Sequence, residues 1–121
     1  MKKPLKLPSR VRLSKEVSAQ LNHIKSQTQL TPNILARVAL AISIESGFDY
    51  RQLNPAGDGL EFNLPTLLGE QTLVFELLLL SETQAQTQEE LTQALASHIE
   101  NGVASLRQCK NSATVGEVVY R

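Results

Sequence analysis

The sequence predicts a small, mainly helical domain. A short strand and two helices occupy its first third, a further helical pair fills most of the rest, and more than one copy of the chain assembles. Three observations carry this expectation. Apolar residues recur at helical spacing over much of the 121 residues. Aromatics are only 4% of the chain, with no Trp, so the core has to be built from Leu, Ile, Val and Ala, a composition that favours helices. One helix is apolar on nearly every side, and one neighbouring helix of the same chain is not expected to cover it.

The length fits a single domain spanning 1–121. Residues 1–9 hold three lysines and two prolines and form an extended basic arm. From Arg10 to Leu13 bases and apolar residues alternate, which in a strand sends Arg10 and Arg12 to one face and Val11 and Leu13 to the other. Four residues do not make a stable strand alone, and a second copy of the same segment is the expected partner. Ser14 is a good N-cap. Val17, Leu21 and Ile24 then mark the core stripe of a helix over about 15–28, with Lys15, Ser18, Asn22 and Lys25 within a quarter-turn of one another on the opposite side.

Thr31 caps the next helix and Pro32 suits its first turn. Its residues Ile34, Leu35, Val38, Ala39, Leu40 and Ile42 leave little polar surface, so Leu35, Val38 and Ile42 are expected at an interface between chains. Gly47 ends it, closing a unit over 10–47. Residues 48–64 are a connector dense in turn formers, with an alternating run from Leu60 to Leu64 that suits a short strand. A helical part follows over 65–107. Pro65 and Thr66 open an apolar helix that Gly69 interrupts. Thr87 and Glu90 have the form of a capping box before a helix over about 88–107. Residues 108–121 form a tail in which Val115, Val118 and Val119 either pair with a strand or trail.

The net charge of zero hides a division. Residues 1–37 hold eight bases against Glu16, a net of +7, and the remainder balances it at −7. A basic end on an acidic chain points to a surface for a polyanion, or to a solvated tail. Lysine and arginine attract phosphates whatever the base sequence, and the starts of the two helices at Ser14 and Thr31 add backbone N–H donors for the same anions. Lys6, Arg10, Arg12, Lys15 and Lys25 are the candidate DNA-binding residues. No aromatics interleave with them, which favours duplex phosphates over stacked single strands.

Enzyme motifs are absent from the sequence. Gly57 and Gly59 are not followed by the Lys-Ser/Thr of a phosphate loop. His23 and His98 lack neighbours at metal-ligand spacing, and the single Cys109 excludes an internal disulfide or a cysteine zinc cluster. No catalytic residue, metal or cofactor is expected. One cysteine suits a reducing compartment, and no run approaches the ~18 apolar residues of a membrane span. A soluble, cytoplasmic protein is the expectation.

Two resemblances follow from these residues. The order from Arg10 to Ile44, strand, Ser-capped helix, short turn, Thr-capped helix, resembles a ribbon-helix-helix unit, with Gln29 where that fold commonly has Gly. Over most of the chain, the sets Leu30-Thr31-Pro32-Asn33, Ala36-Arg37, Glu45-Ser46, Leu68-Gly69 and His98 with Gly102 resemble the DNA sulfur-modification family DndE. That second resemblance implies a helical, homotetrameric component of the DNA phosphorothioation system. It implies binding of duplex DNA, nicked DNA preferred, through lysines matching Lys15 and Lys25, with the chemistry assigned to other subunits. Lys6, Arg10 and Arg12 extend that surface by charge and facing alone. Two alternatives stay open: a ribbon-helix-helix transcription regulator reading bases through Arg10 and Arg12, and an adaptor that docks other subunits without touching DNA.

Overall fold

A computed structural model describes residues 5–107. Its elements are strand β1 (Arg10–Arg12), helices α1 (Lys15–Thr28) and α2 (Pro32–Glu45), strand β2 (Glu61–Asn63), and helices α3 (Leu64–Leu68), α4 (Thr72–Thr83) and α5 (Gln88–Leu106), with single 3-10 turns at Tyr50–Gln52 and Gly69–Gln71. The domain is mainly helical, as its aliphatic composition requires.

β1 does not pair with a copy of itself. Its partner is β2 of the same chain, antiparallel, with Val11 opposite Phe62 and Arg12 opposite Glu61. Val11 and Phe62 both point into the core, so one register buries the apolar side of each strand. The bonds Leu13 N–H to Leu60 O (2.9 Å) and Leu64 N–H to Ser9 O (2.9 Å) extend the pairing at both ends. The order strand, helix, helix matches a ribbon-helix-helix unit, but the ribbon is closed within the protomer.

Ser14 caps α1, its Oγ accepting from Val17 N–H at 3.3 Å. The helix stops at Gln29, whose φ of +64° is the left-handed conformation that glycine adopts without penalty. Ser18, expected among the exposed polar residues, is buried. Its Oγ donates to Ser14 O (2.7 Å) and accepts from Leu60 N–H (2.7 Å), so it splices α1 to the strand connector. At 3.6 residues per turn it borders Leu21, and a hydroxyl satisfied on both sides can go inside.

α2 is capped by Thr31 as expected, with Thr31 Oγ1 accepting from Ile34 N–H (3.3 Å). One chain covers most of it. α5 packs along its length and α1, α3 and α4 close other sides, burying Leu35, Ala36, Ala39, Leu40, Ser43 and Ile44. Leu35, expected at an interface between chains, is 0% exposed within its own protomer, while Val38 and Ile42 are half-buried at the core's edge. The inference from all-round apolarity failed because α5, distant in sequence, supplies the missing neighbour. Gly102 lets it come close: a Cβ there would overlap the backbone of Ala39.

The expected third helix breaks where Gly69 takes φ +55°, giving α3 and α4. Residues Leu64–Thr83 reach a mean hydropathy of 1.3, apolar enough by length and composition to cross a membrane, but the break at Gly69 lies inside that stretch. α4 turns Phe75, Leu79 and Thr83 inwards and leaves Leu73 (62% exposed), Val74 (50%), Leu77 (58%) and Leu78 (46%) outside. Thr87 caps α5 by accepting from Glu90 N–H (3.1 Å), while Glu90 reaches back to Gln86 N–H (3.3 Å), one residue before the cap. Cys109 and the expectations for 108–121 lie outside the described residues, as do Lys2 and Lys3.

Candidate nucleic-acid interface

The five candidate bases fall into two groups. Lys6, Arg10 and Arg12 gather around β1. The backbone of Lys6 is gripped by Gln88 at the start of α5, with Lys6 N–H donating to Oε1 (3.4 Å) and Gln88 Nε2 donating to Lys6 O (2.6 Å). Arg10 and Arg12 point outwards from β1, as period 2 dictates, and both lean on Glu61 at 3.6 and 3.3 Å. Arg12 also donates to Gly59 O at 3.0 Å. A groove of about 430 Å³ runs beside them, walled by Asn54, Pro55, Glu89, Thr92 and Gln93.

Lys15 and Lys25 form the second group. They are exposed, ten residues apart on α1, which at 1.5 Å per residue is roughly 15 Å. Among the described residues, neither makes an ion pair. Arg37 serves the fold instead, its Nε donating to Leu67 O at 2.7 Å.

The start of α1 is closed to a phosphate. Glu100, from α5, accepts from Ser14 N–H (2.8 Å) and Ser14 Oγ (3.2 Å), and Asp58 accepts from Lys15 N–H (3.0 Å). Two carboxylates thus already complement the positive end of the helix. Burial raises the pKa of Glu100 above its usual 4.5, and the two bonds from Ser14 oppose that rise. Sequence reasoning missed these acids. The division of charge along the chain is not a division in space, because Glu61, Asp58 and Glu100 fold back onto the basic third. The one available signal was local: Asp58-Gly59 is a turn pair, and Glu61 shares a face with Asn63 in an alternating run.

His98 is wholly inside. Asn101 Nδ2 donates to Ser43 Oγ (3.0 Å), and the Ser43 hydroxyl and His98 Nδ1 share a hydrogen bond of 2.8 Å whose direction follows the tautomer of the ring. Nε2 meets no partner among the described residues, and Phe48 packs against the ring in a T shape at 5.7 Å. The pair is buried beyond the reach of any substrate in this conformation. Burial holds the imidazole below its usual 6.5, with Glu82 opposing the shift. A base with a depressed folded pKa lends stability that is complete above the unfolded value. The unfolded chain takes up the proton first, so stability falls as pH drops from 6.5 towards the folded value, by about 1.4 kcal/mol per pH unit inside that window. The thermal midpoint is therefore expected to fall more between pH 7.5 and 5.5 in the parent than in His98→Gln. Equal falls in parent and variant would remove His98 as the cause.

Among the described residues no group of three or more His, Cys, Asp or Glu side chains is placed to hold a metal ion.

Comparison with known proteins adds three findings. The family model described as DNA sulphur modification protein DndE matches residues 10–114. The crystal structure of DndE from Escherichia coli B7A, involved in DNA phosphorothioation modification, is similar with a TM-score of 0.75 and 38% identity, over 83% of this chain and 96% of that one. A crystal structure of a DndE mutant, involved in DNA phosphorothioation, gives a TM-score of 0.72 and 37% identity over 83% and 98%. No curated protein matches.

Proposed function

The chain belongs to the DndE family of DNA sulphur modification proteins, and from that premise we propose that it is a DNA-binding accessory subunit of the phosphorothioation system. It holds duplex DNA, nicked DNA preferred, for other subunits in the cytoplasm, and performs no chemistry of its own. The observation that carries the DNA contact is the exposure of Lys15 and Lys25 on α1, with no ion pair to either among the described residues. The preference for nicks and the homotetramer come from the family resemblance. Lys6, Arg10 and Arg12 add weaker, partly neutralised contacts, since Glu61 already occupies both arginines.

A ribbon-helix-helix regulator fits less well, because such a protein reads bases with a ribbon shared by two chains and β1 is paired with β2. An adaptor without DNA contact draws support from the exposed apolar face of α4. That face equally suits the oligomer proposed here, and α2, which carries the half-buried Val38 and Ile42, touches α4.

The test is a mobility-shift assay with intact, nicked and single-stranded DNA. Lys15→Ala/Lys25→Ala is expected to weaken duplex binding on the order of 10- to 100-fold near 0.1 M salt, and to reduce the slope of log affinity against log salt by about 2 per protomer engaged. Equal binding by parent and variant would remove this surface from the interface. No binding by the parent would favour the adaptor.

A further inference from the structure

The exposed side of α1 has two flanks. Ala19, Asn22 and Ser26 follow Lys15 at intervals of four, three and four, so these small residues form the crest of the helix. Lys25 hangs on one flank. His23, two residues earlier and so about 160° away around the axis, hangs on the other.

On the His23 flank α5 runs alongside α1 in the same direction. Glu100 meets Ser14 at the start of α1, and Arg107, two turns later, comes level with its middle. Between the helices lies a groove of about 410 Å³ lined by Ala19, Gln20, His23, Ile24 and Arg107. Among the described residues, a guanidinium, an imidazole and an amide border it, and no carboxylate does. The groove beside β1 differs: Glu89 lines it and Glu61 holds its two arginines. His23 and Arg107 are both exposed, and among the described residues their side chains make neither an ion pair nor a hydrogen bond.

We propose that Gln20, His23 and Arg107 form a second phosphate site, which takes the backbone of the DNA strand opposite the one held by Lys25. The ligand chemistry is a phosphodiester: a guanidinium fork matches two phosphate oxygens, and an imidazole N–H and an amide supply further donors. The dimensions agree. A helix with its side chains is about 10–12 Å across and the major groove about 12 Å wide. α1 therefore enters the groove crest first, with cationic groups on both flanks meeting the two backbones. Ala19, Asn22 and Ser26 are short enough to let the helix approach the base edges.

This inference rests on the DNA-binding reading, and one experiment separates the two. The salt dependence of binding to a duplex and to one of its strands alone is measured for the parent, Lys15→Ala/Lys25→Ala and His23→Gln/Arg107→Ala. All four positions are exposed, so the variants keep the fold. His23→Gln/Arg107→Ala is expected to weaken duplex binding about tenfold and flatten its salt slope by about 1, leaving single-strand binding nearly unchanged. Arg107→Lys should recover part of the loss. Unchanged duplex binding in His23→Gln/Arg107→Ala, with loss in the lysine variant, overturns the second site and leaves the proposed function standing. An equal loss for duplex and single strand overturns the placement on opposite strands. Failure of the parent to bind either DNA overturns the proposed function itself.

Discussion

Gly102→Ala is expected to destabilise the protein by about 3 kcal/mol or more, net of the better helix propensity of alanine. The added methyl would overlap the carbonyl and Cα of Ala39, which are backbone atoms and cannot swing aside. α2 and α5 would have to move apart along the contact that buries Leu35, Leu40, Leu95 and Ile99. Interiors are packed like organic crystals, so a small separation forfeits dispersion contacts along both helices. A domain of this size has about 5–15 kcal/mol in total. A thermal midpoint lower by more than about 10 °C follows. An unchanged midpoint in a melt followed by circular dichroism would mean that the two helices do not meet at Gly102.

Leu73→Asp/Leu77→Asp is expected to reduce the proposed oligomer to monomers and to lower DNA affinity by about 100-fold. Both residues are more than half exposed in the protomer, so the fold should survive. In an assembly that covers α4, each leucine removed from water contributes about 1–2 kcal/mol, and an aspartate in its place buries an unpaired charge. The fall in DNA affinity follows because linked copies of one basic face act at high effective concentration. Light scattering with and without nicked duplex reads the first effect, and a mobility shift reads the second. A variant of parental mass would place the interface away from α4. Monomers that bind DNA as tightly as the parent would show that one protomer carries the whole contact.

Three helix starts and one break were legible residue by residue. Ser14, Thr31 and Thr87 cap their helices, Gly69 interrupts the apolar stretch, and α1 and α5 lie within a residue of the bounds that periodicity gives them. The family was legible too, from motifs spaced along the chain. The partner of β1 was not. Alternation shows that a strand needs a neighbour, and says nothing of whether residues 61–63 or a second chain provides it. The apolarity of α2 was read correctly and explained wrongly, which sent Leu35 to an interface when it is sealed in the core.

For the site, sequence named the exposed lysines but not the acids beside their arginines, nor the groove where His23 and Arg107 meet. Capping and periodicity are settled within about four residues, so the order of side chains alone fixes where helices run and which face is apolar. Which charges end up opposite one another depends on contacts between residues far apart in the chain, such as Arg12 and Glu61, 49 residues apart. Those contacts form only when the core closes, and so tertiary structure alone decided which bases are paired with acids and which, among the described residues, are not.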